Sequence, residues 1–227
     1  MNIIGAGLAG SEAALQLAQR GVHVRLFEMR PETETDVHRG GDCAELVCSN
    51  SLKSTKPESA AGMLKAELAA LGSQLIAAAG RSRVDAGGAL AVDRDEFSAD
   101  VTSMVKENPY IEYRVMCVSD PLDASLGAAD ATILATGPLT SDALAQWLVD
   151  KTGSDNLAFF DAAAPVVMAD SLDMDVLFRQ SRYEQDAPGD YLNAPFDKES
   201  YDAFIAQLVA ADRVIKRDFE TKDLFQA

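Results

Sequence analysis

Histidine, cysteine and basic side chains are scarce in this chain, and each shortage removes a class of function. Among 227 residues there are two His, three Cys and one Trp, with 20 Lys and Arg against 36 Asp and Glu, for a net charge of -16. Cys43, Cys48 and Cys117 are odd in number and form no Cys-x-x-Cys pair, which excludes a disulfide framework and points to no zinc site. His23 and His38 stand apart and make no case for a metal, so none is expected. The shortage of positive charge disfavours nonspecific nucleic-acid binding over a broad surface. No apolar run approaches the ~18 residues that span a bilayer, so no membrane insertion is expected. No cationic segment leading into an apolar stretch precedes the first element, which sets the expected location as cytoplasmic. No repeat or low-complexity tract is present, and no stable protein partner is inferable.

What is there is the composition of an ordinary globule, 48% hydrophobic and 25% charged, long enough for one large domain or one and a half. The apolar run Met1 to Ile4 reads as a first strand shorter than the usual 5 to 6 residues, with a few residues expected to be missing before it. Ala13, Ala14, Leu17 and Ala18 recur at helical spacing up to Gly21, and Val22, Val24, Leu26 and Phe27 form a second strand ending at Glu28. Together these make a βαβ unit. The polar stretch from Arg30 to Asp42 reads as a long exposed loop, a feature that tends to be functional. Helical spacing follows over Met63 to Ala79, then strand texture at Ala89 to Val92, helix at Phe97 to Lys106, and strands at Tyr110 to Val118 and Ala131 to Leu134. Beyond Ser141 a helix is expected over Asp142 to Lys151, then irregular acidic segments, with a solvated face at Asp170 to Asp175 and a last helix near Ser200 to Arg213.

Gly5-Ala6-Gly7-Leu8-Ala9-Gly10 fits G-x-G-x-x-G between a strand and a helix, the context that gives the pattern meaning. Gly5 permits the tight turn, Gly7 the approach of a pyrophosphate, and Gly10 close packing of helix on strand, with the helix N-terminus facing the phosphates. Glu28, 18 residues after Gly10, is placed to accept hydrogen bonds from an adenosine ribose with free hydroxyls, as in FAD or NAD; the alternative is a solvated strand-end acid. The strand running into Ala135-Thr136-Gly137 is a second cue, with Gly137 turning the chain beneath a cofactor, and both motifs together favour FAD; alone it is a buried strand and turn.

Five further segments occur in order: Glu28-Met29-Arg30-Pro31, Ala44-Glu45-Leu46-Val47-Cys48-Ser49-Asn50-Ser51-Leu52-Lys53-Ser54, Ala86 to Arg94, Ala135 to Asp142 and Asp161-Ala162-Ala163-Ala164-Pro165. With these the chain resembles the folate- and FAD-dependent tRNA uracil-5-methyltransferase family over essentially all its length, and not its larger relative, the tRNA uridine carboxymethylaminomethyl-modifying flavoprotein. The resemblance implies an α/β fold, an FAD-binding Rossmann-like domain of the glutathione-reductase type with an inserted smaller α+β domain. Residues 1–140 are expected to be the N-terminal part of the FAD domain and residues 141–227 the insertion. It implies that a methylene group passes from methylenetetrahydrofolate by way of the flavin to C5 of the T-loop uridine of tRNA, with NAD(P)H as reductant. Carbon 5 of uracil becomes nucleophilic once a thiolate adds at carbon 6, so a reactive cysteine near the flavin is needed.

Cys48 falls on the family's motif cysteine, flanked by Lys53 and Lys56 whose charges favour a thiolate, there either to attack uracil or to support the flavin and substrate; the alternative is a buried structural cysteine. Cys43 and Cys117 match no such motif and are taken as structural or incidental. Asn50, Ser51 and Lys53 are donors for flavin or phosphate, or else loop caps. Gly87-Gly88, with Gly88 the cofactor-side residue, suggests close backbone approach to the cofactor, or a simple turn. Asp93-Arg94 reads as an internal ion pair. Family members are about twice this length. The chain is expected to stop just before a second motif cysteine and to lack the C-terminal part of the FAD domain, leaving a truncated half that binds FAD weakly and is inactive alone. Ala194 stands where many relatives carry Cys. The alternatives are a noncatalytic nucleotide-binding fragment and a flavin oxidoreductase without an RNA substrate.

Overall fold

A computed structural model describes residues 1–35, 37–47, 49–153, 167–181 and 189–211. The chain divides into two compact units, Met1–Val84 with Gly88–Ala163, and Asp85–Gly87 with Ala164–Ala227. The first opens with strand β1 (Asn2–Ile4), helix α1 (Leu8–Gln19) and strand β2 (Val24–Glu28). Next come β3 (Ser51–Ser54), α2 (Ala60–Ala70), α3 (Gln74–Arg81), β4 (Arg83–Val84), β5 (Ala89–Val92) and α4 (Arg94–Lys106). The unit ends with β6 (Ile111–Val115), β7 (Thr132–Leu134) and α5 (Asp142–Thr152).

Four strands form a parallel sheet in the order β6-β2-β1-β7. The chain thus steps from β1 outward to β2 and β6, then returns to the other side of β1 with β7. That reversal is the topological switch of doubly wound sheets, and ligands bind outside the carboxyl ends of the strands there. Side chains alternate across the pleat. Ile3 and Leu26 enter the larger core with α1, α3 and α4, while Ile4 and Phe27 join Val118, Leu126 and Leu144 on the opposite face. Both faces of β1 and β2 are covered, which is why Ile3 with Ile4 and Leu26 with Phe27 are consecutively apolar.

Between β2 and β6 the chain builds an antiparallel sheet in the order β3-β5-β4. The helical stretch expected over Met63 to Ala79 is two helices. Gly72 takes a φ of +78°, and Ser73 begins α3 by accepting from Ile76 N at 3.2 Å. The Glu12 carboxylate on α1 accepts from Ser73 Oγ, Gln74 N and Leu75 N, so an acid holds the α3 N-terminus against α1. β2 starts at Val24, leaving Val22 and His23 outside the strand, with the His23 ring tilted over Tyr110 at 5.0 Å. Asp93 caps α4 by accepting from Asp95 N and Glu96 N, a role that replaces the ion pair with Arg94 expected from sequence.

In the second unit β8 (Phe178–Arg179) pairs with β9 (Leu192–Asn193), followed by α6 (Lys198–Ala210). Asp190 accepts from Gly87 N, and Tyr191 Oη donates to Ala86 O at 2.7 Å. Asp170, Asp173 and Asp175 are exposed. The motif Asp161 to Pro165 lies outside the described residues, as do the expected end of the last helix at Arg213 and the segment Phe225 to Ala227. No helix among the described residues is long and apolar enough to cross a membrane.

Candidate functional site

The carboxyl ends of β1 and β2 meet the chain that follows β7 in one groove, lined by Gly5, Gly7, Glu28, Met29, Arg30, His38, Met116, Cys117, Thr136, Thr140 and Ser141 among others. Gly5 takes a φ of +98°, and a methyl group there would lie 2.6 Å from Ala135 O, so glycine is required twice over. At Gly10 a methyl would fall 1.8 Å from Gly5 O and 3.3 Å from Ala135 Cβ, which is the tight packing expected of the third glycine. At Gly7, the position expected to face phosphate, a methyl would meet nothing within 4 Å. Leu8 and Ala9 form the exposed first turn of α1, whose leading N–H groups have no acceptor within the helix.

The loop is pinned at Ala6. Its N–H donates to Glu28 Oε2 at 2.8 Å, and its carbonyl accepts from Ser11 Oγ at 2.9 Å and Ala44 N at 2.8 Å. Gly5 N donates to Phe27 O at 2.8 Å. Ser11 N donates to Gly7 O at 3.0 Å, so the N–H groups ahead of the first intrahelical bond are those of Gly7 to Gly10.

Glu28 is 6% exposed, which overturns the alternative of a solvated strand-end acid. Oε1 accepts from Arg30 N at 3.1 Å and Arg30 Nε at 2.9 Å. Oε2 accepts only from Ala6 N among the described residues, so a carboxylate with about four acceptor positions keeps one toward the groove. Burial alone would raise its pKa. The hydrogen bond and charge of Arg30, with the Ala6 and Arg30 N–H groups, outweigh this and hold the carboxyl below its ordinary value.

Arg30 is 3% exposed, so the loop from Arg30 to Asp42 is not the wholly exposed segment expected. Its Nη1 pairs with Glu45 Oε2 at 3.0 Å and Nη2 donates to Asp42 O at 3.1 Å, while Glu45 also accepts from Arg39 N and Gly40 N. The guanidinium is therefore consumed by protein acceptors and is not offered to a 2′-phosphate. His38 bonds through Nδ1 to Thr35 Oγ1 at 2.7 Å, and burial with the nearby Arg30 charge lowers its pKa. On the far side Thr136 and Thr140 share a hydroxyl bond at 2.6 Å, and Gly137 turns the chain with a φ of +64°.

Not every expected residue reaches this groove. Asn50 donates through Nδ2 to Val92 O at 3.1 Å, Ser51 lies in β3 opposite Ala91, and the Gly88 carbonyl accepts from Thr55 N and Oγ1. All three hold the β3–β5 pair together. Cys48 lies outside the described residues. Cys43 is buried, its N–H bonded to Thr102 Oγ1, and burial raises its thiol pKa, which suits a structural role. Cys117 is exposed and lines the groove.

The sequence profile of the GIDA family, described as glucose inhibited division protein A, matches residues 1–227. The chain belongs to the GIDA family. Among curated GIDA-like sequences it is 48% identical, over its full length, to the Lactobacillus acidophilus protein named "Methylenetetrahydrofolate--tRNA-(uracil-5-)-methyltransferase TrmFO", of which it covers 50%. It is 49% identical to the Bacillus subtilis protein of that name, over 100% of this chain and 50% of the other. The Syntrophomonas wolfei protein of that name is 50% identical over 93% of this chain and 47% of its own length. The chain spans about half the length of the curated relatives it matches. A solved chain titled "Structure of Aquifex aeolicus GidA in the form II crystal" aligns with 54% of this chain and 20% of its own, at 19% identity and a TM-score of 0.44, too distant a likeness to build on.

Sequence reasoning missed the Glu28–Arg30–Glu45 cluster in this GIDA chain. Its signal was present, since Arg30 belongs to the motif Glu28-Met29-Arg30-Pro31 and Glu45 to the segment before Cys48. The groove-lining residues Met116 to Val118 were read as the end of a strand over Tyr110 to Val118, whereas β6 stops at Val115 and they follow it along the groove.

Proposed function

We propose that these residues carry the adenosine and pyrophosphate part of an FAD site in a folate-dependent tRNA uracil-5-methyltransferase. The observation that carries the reading is the open space at Gly7 beside a buried, ionised Glu28 at the switch point, in a chain 48–50% identical to relatives whose name states that chemistry. Residues 1–140 would form the N-terminal part of the FAD domain and residues 141–227 the inserted part. The wider reading takes in the T-loop uridine as target, methylenetetrahydrofolate as carbon donor, NAD(P)H as reductant and the cytoplasm as location.

The residues present fit a dinucleotide. The Gly7 backbone and the first N–H groups of α1 bind the pyrophosphate, and the remaining acceptor position of Glu28 Oε2 takes a ribose hydroxyl. Thr136 and Thr140 bound the opposite wall, and Gly137 turns the chain between them. When bound and reduced by NAD(P)H, the flavin would supply the two electrons that a methylene needs to become a methyl group. Cys48 supplies the thiolate that adds at uracil C6, directs the electron pair to C5, and leaves again when the C5 proton is lost.

The decisive test is a titration of FAD into the chain and into Gly7→Ala. A methyl at Gly7 touches no protein atom within 4 Å, so the variant folds as the parent does and loses FAD affinity at least about tenfold, equivalent to 1.4 kcal/mol. Equal affinity in the two would overturn the cofactor assignment. In the complete enzyme, unchanged tRNA methylation by Cys48→Ala would overturn the assignment of the nucleophile.

A further inference from the structure

In a chain of net charge -16, Lys53, Lys56 and Lys65 enter none of the ion pairs found among the described residues. Glu58 and Glu67 lie on the same stretch and are in none of those pairs either. The three lysines are fixed relative to one another by the backbone of the first unit. Lys65, on α2, donates from Nζ to Ser54 O at 3.1 Å and to Ala61 O at 3.0 Å, which anchors its ammonium at the end of β3. A methyl at Gly62 would lie 1.9 Å from Lys56 O, so the chain at Lys56 runs directly against the first turn of α2. The Lys56 stem passes Gly88, where an added methyl would stand 3.3 Å from Lys56 Cε.

Two features show that this clustering works against stability. Burial lowers the Lys65 pKa and the Lys53 charge lowers it further, so these like charges feel each other. Lys53 itself holds a φ of +66°, a conformation that glycine adopts freely and an ordinary L-residue only at a cost. This left-handed residue sits in the register shift of β3 between Ser51 and Ser54, and its side chain is exposed. An anion beside Lys53 and Lys65 would relieve their repulsion, and a local patch of unpaired lysines is what an otherwise acidic protein requires to approach a polyanion.

We infer that Lys53, Lys56 and Lys65, at the junction of β3 and α2, form a contact surface for the phosphodiester backbone of RNA. This rests on the tRNA reading above and names the surface that receives the substrate. The contacts are to phosphate, so they position the RNA and carry no base preference. Each neutralised phosphate releases counterions, and the salt dependence of binding counts them.

The test is fluorescence anisotropy of an unmodified tRNA transcript with the 227-residue chain, with Lys53→Gln, with Lys56→Gln and with the double variant, between about 50 and 200 mM salt. Each single change is expected to weaken binding several-fold and to reduce the slope of log K against log salt by about 0.7 to 0.9, the double change by about twice that. A parent that binds the transcript while the variants match it in affinity and slope overturns the patch. Lysine-dependent binding of poly-L-glutamate without binding of the transcript overturns RNA as the occupant. FAD titration of the same preparations reads the underlying function separately. A chain that takes FAD while its lysine variants bind RNA unchanged loses only the patch, whereas a chain that takes no FAD loses the cofactor reading whatever its lysines do.

Discussion

At the end of β2 a buried carboxylate and a buried guanidinium are satisfied together with a half-buried second carboxylate, whereas along β3 and α2 Lys53 and Lys56 are exposed and Lys65 is half-buried, none of them paired with a carboxylate among the described residues. The first region spends its charge inward. Arg30 is 3% exposed and uses its side chain on Glu28, Glu45 and the carbonyl of Asp42, which ties the nucleotide loop to the segment leading toward Cys48. The second presents Lys53 and Lys56 outward, with Lys65 held at its edge by the carbonyls of Ser54 and Ala61. A buried pair is costly to break because each partner is then left alone in a poor solvent, while an exposed cation is nearly free to remove. The two regions therefore call for opposite outcomes from the same kind of substitution: large losses of stability at the corner, and small ones with changed salt dependence at the lysines.

The largest effect belongs to Arg30→Met. It strands Glu28 and Glu45, whose side chains are 7% and 14% exposed, and is expected to cost about 3–5 kcal/mol in urea denaturation followed by circular dichroism. A loss below about 1 kcal/mol would place Arg30 in the surface class and dissolve the contrast. Gly10→Ala comes next. The atom met at 1.8 Å is a backbone carbonyl and cannot rotate away, so the helix must shift from the strand, at a cost of at least about 1–3 kcal/mol and with loss of FAD binding. Gly7→Ala is the control with no such overlap, and a Gly10→Ala protein as stable as Gly7→Ala would show that the helix has room to move.

How much of this was readable beforehand depends on whether the cause is local. The glycine loop was legible in its geometry, because the tight turn at Gly5 and the close helix contact at Gly10 each demand a missing side chain. Strand β5 was legible to its ends, Ala89 and Val92, since an apolar run between Gly88 and Asp93 has obvious limits. The break at Gly72 was hidden by alanine and leucine at helical spacing on both sides, and it becomes clear only when Glu12, some 60 residues earlier in sequence, is seen holding the new N-terminus. Strand β3 was read as a loop of donors because Asn50, Ser51 and Lys53 are polar, while the hydrogen bonds that make it a strand come from β5. The inward turn of Arg30 was likewise illegible, since an arginine beside glutamate and proline in a polar run looks solvated until Glu45 is brought beneath it by the fold.

The smallest effect reads the corner by pH. Glu28 is held below the ordinary carboxyl value in the folded chain, so its contribution is fully present above about 4.3, the ordinary value, and is lost as pH falls through the folded one. His38 is also lowered, from an ordinary value of about 6.5, so folding favours its neutral form and its contribution is lost in the same direction, at higher pH. Stability should therefore decline in two stages on acidification, one below about 6.5 and a second below about 4.3. Glu28→Gln removes the second stage, since an amide does not titrate, and costs about 1–3 kcal/mol at neutral pH by leaving its donors poorly matched. His38→Gln removes the first stage alone. Denaturation midpoints measured from neutral pH to about 3.5 separate the two. A wild-type midpoint that rises on acidification would mean that Arg30 does not hold Glu28 ionised, and the corner would then resemble the solvent-facing lysines rather than oppose them.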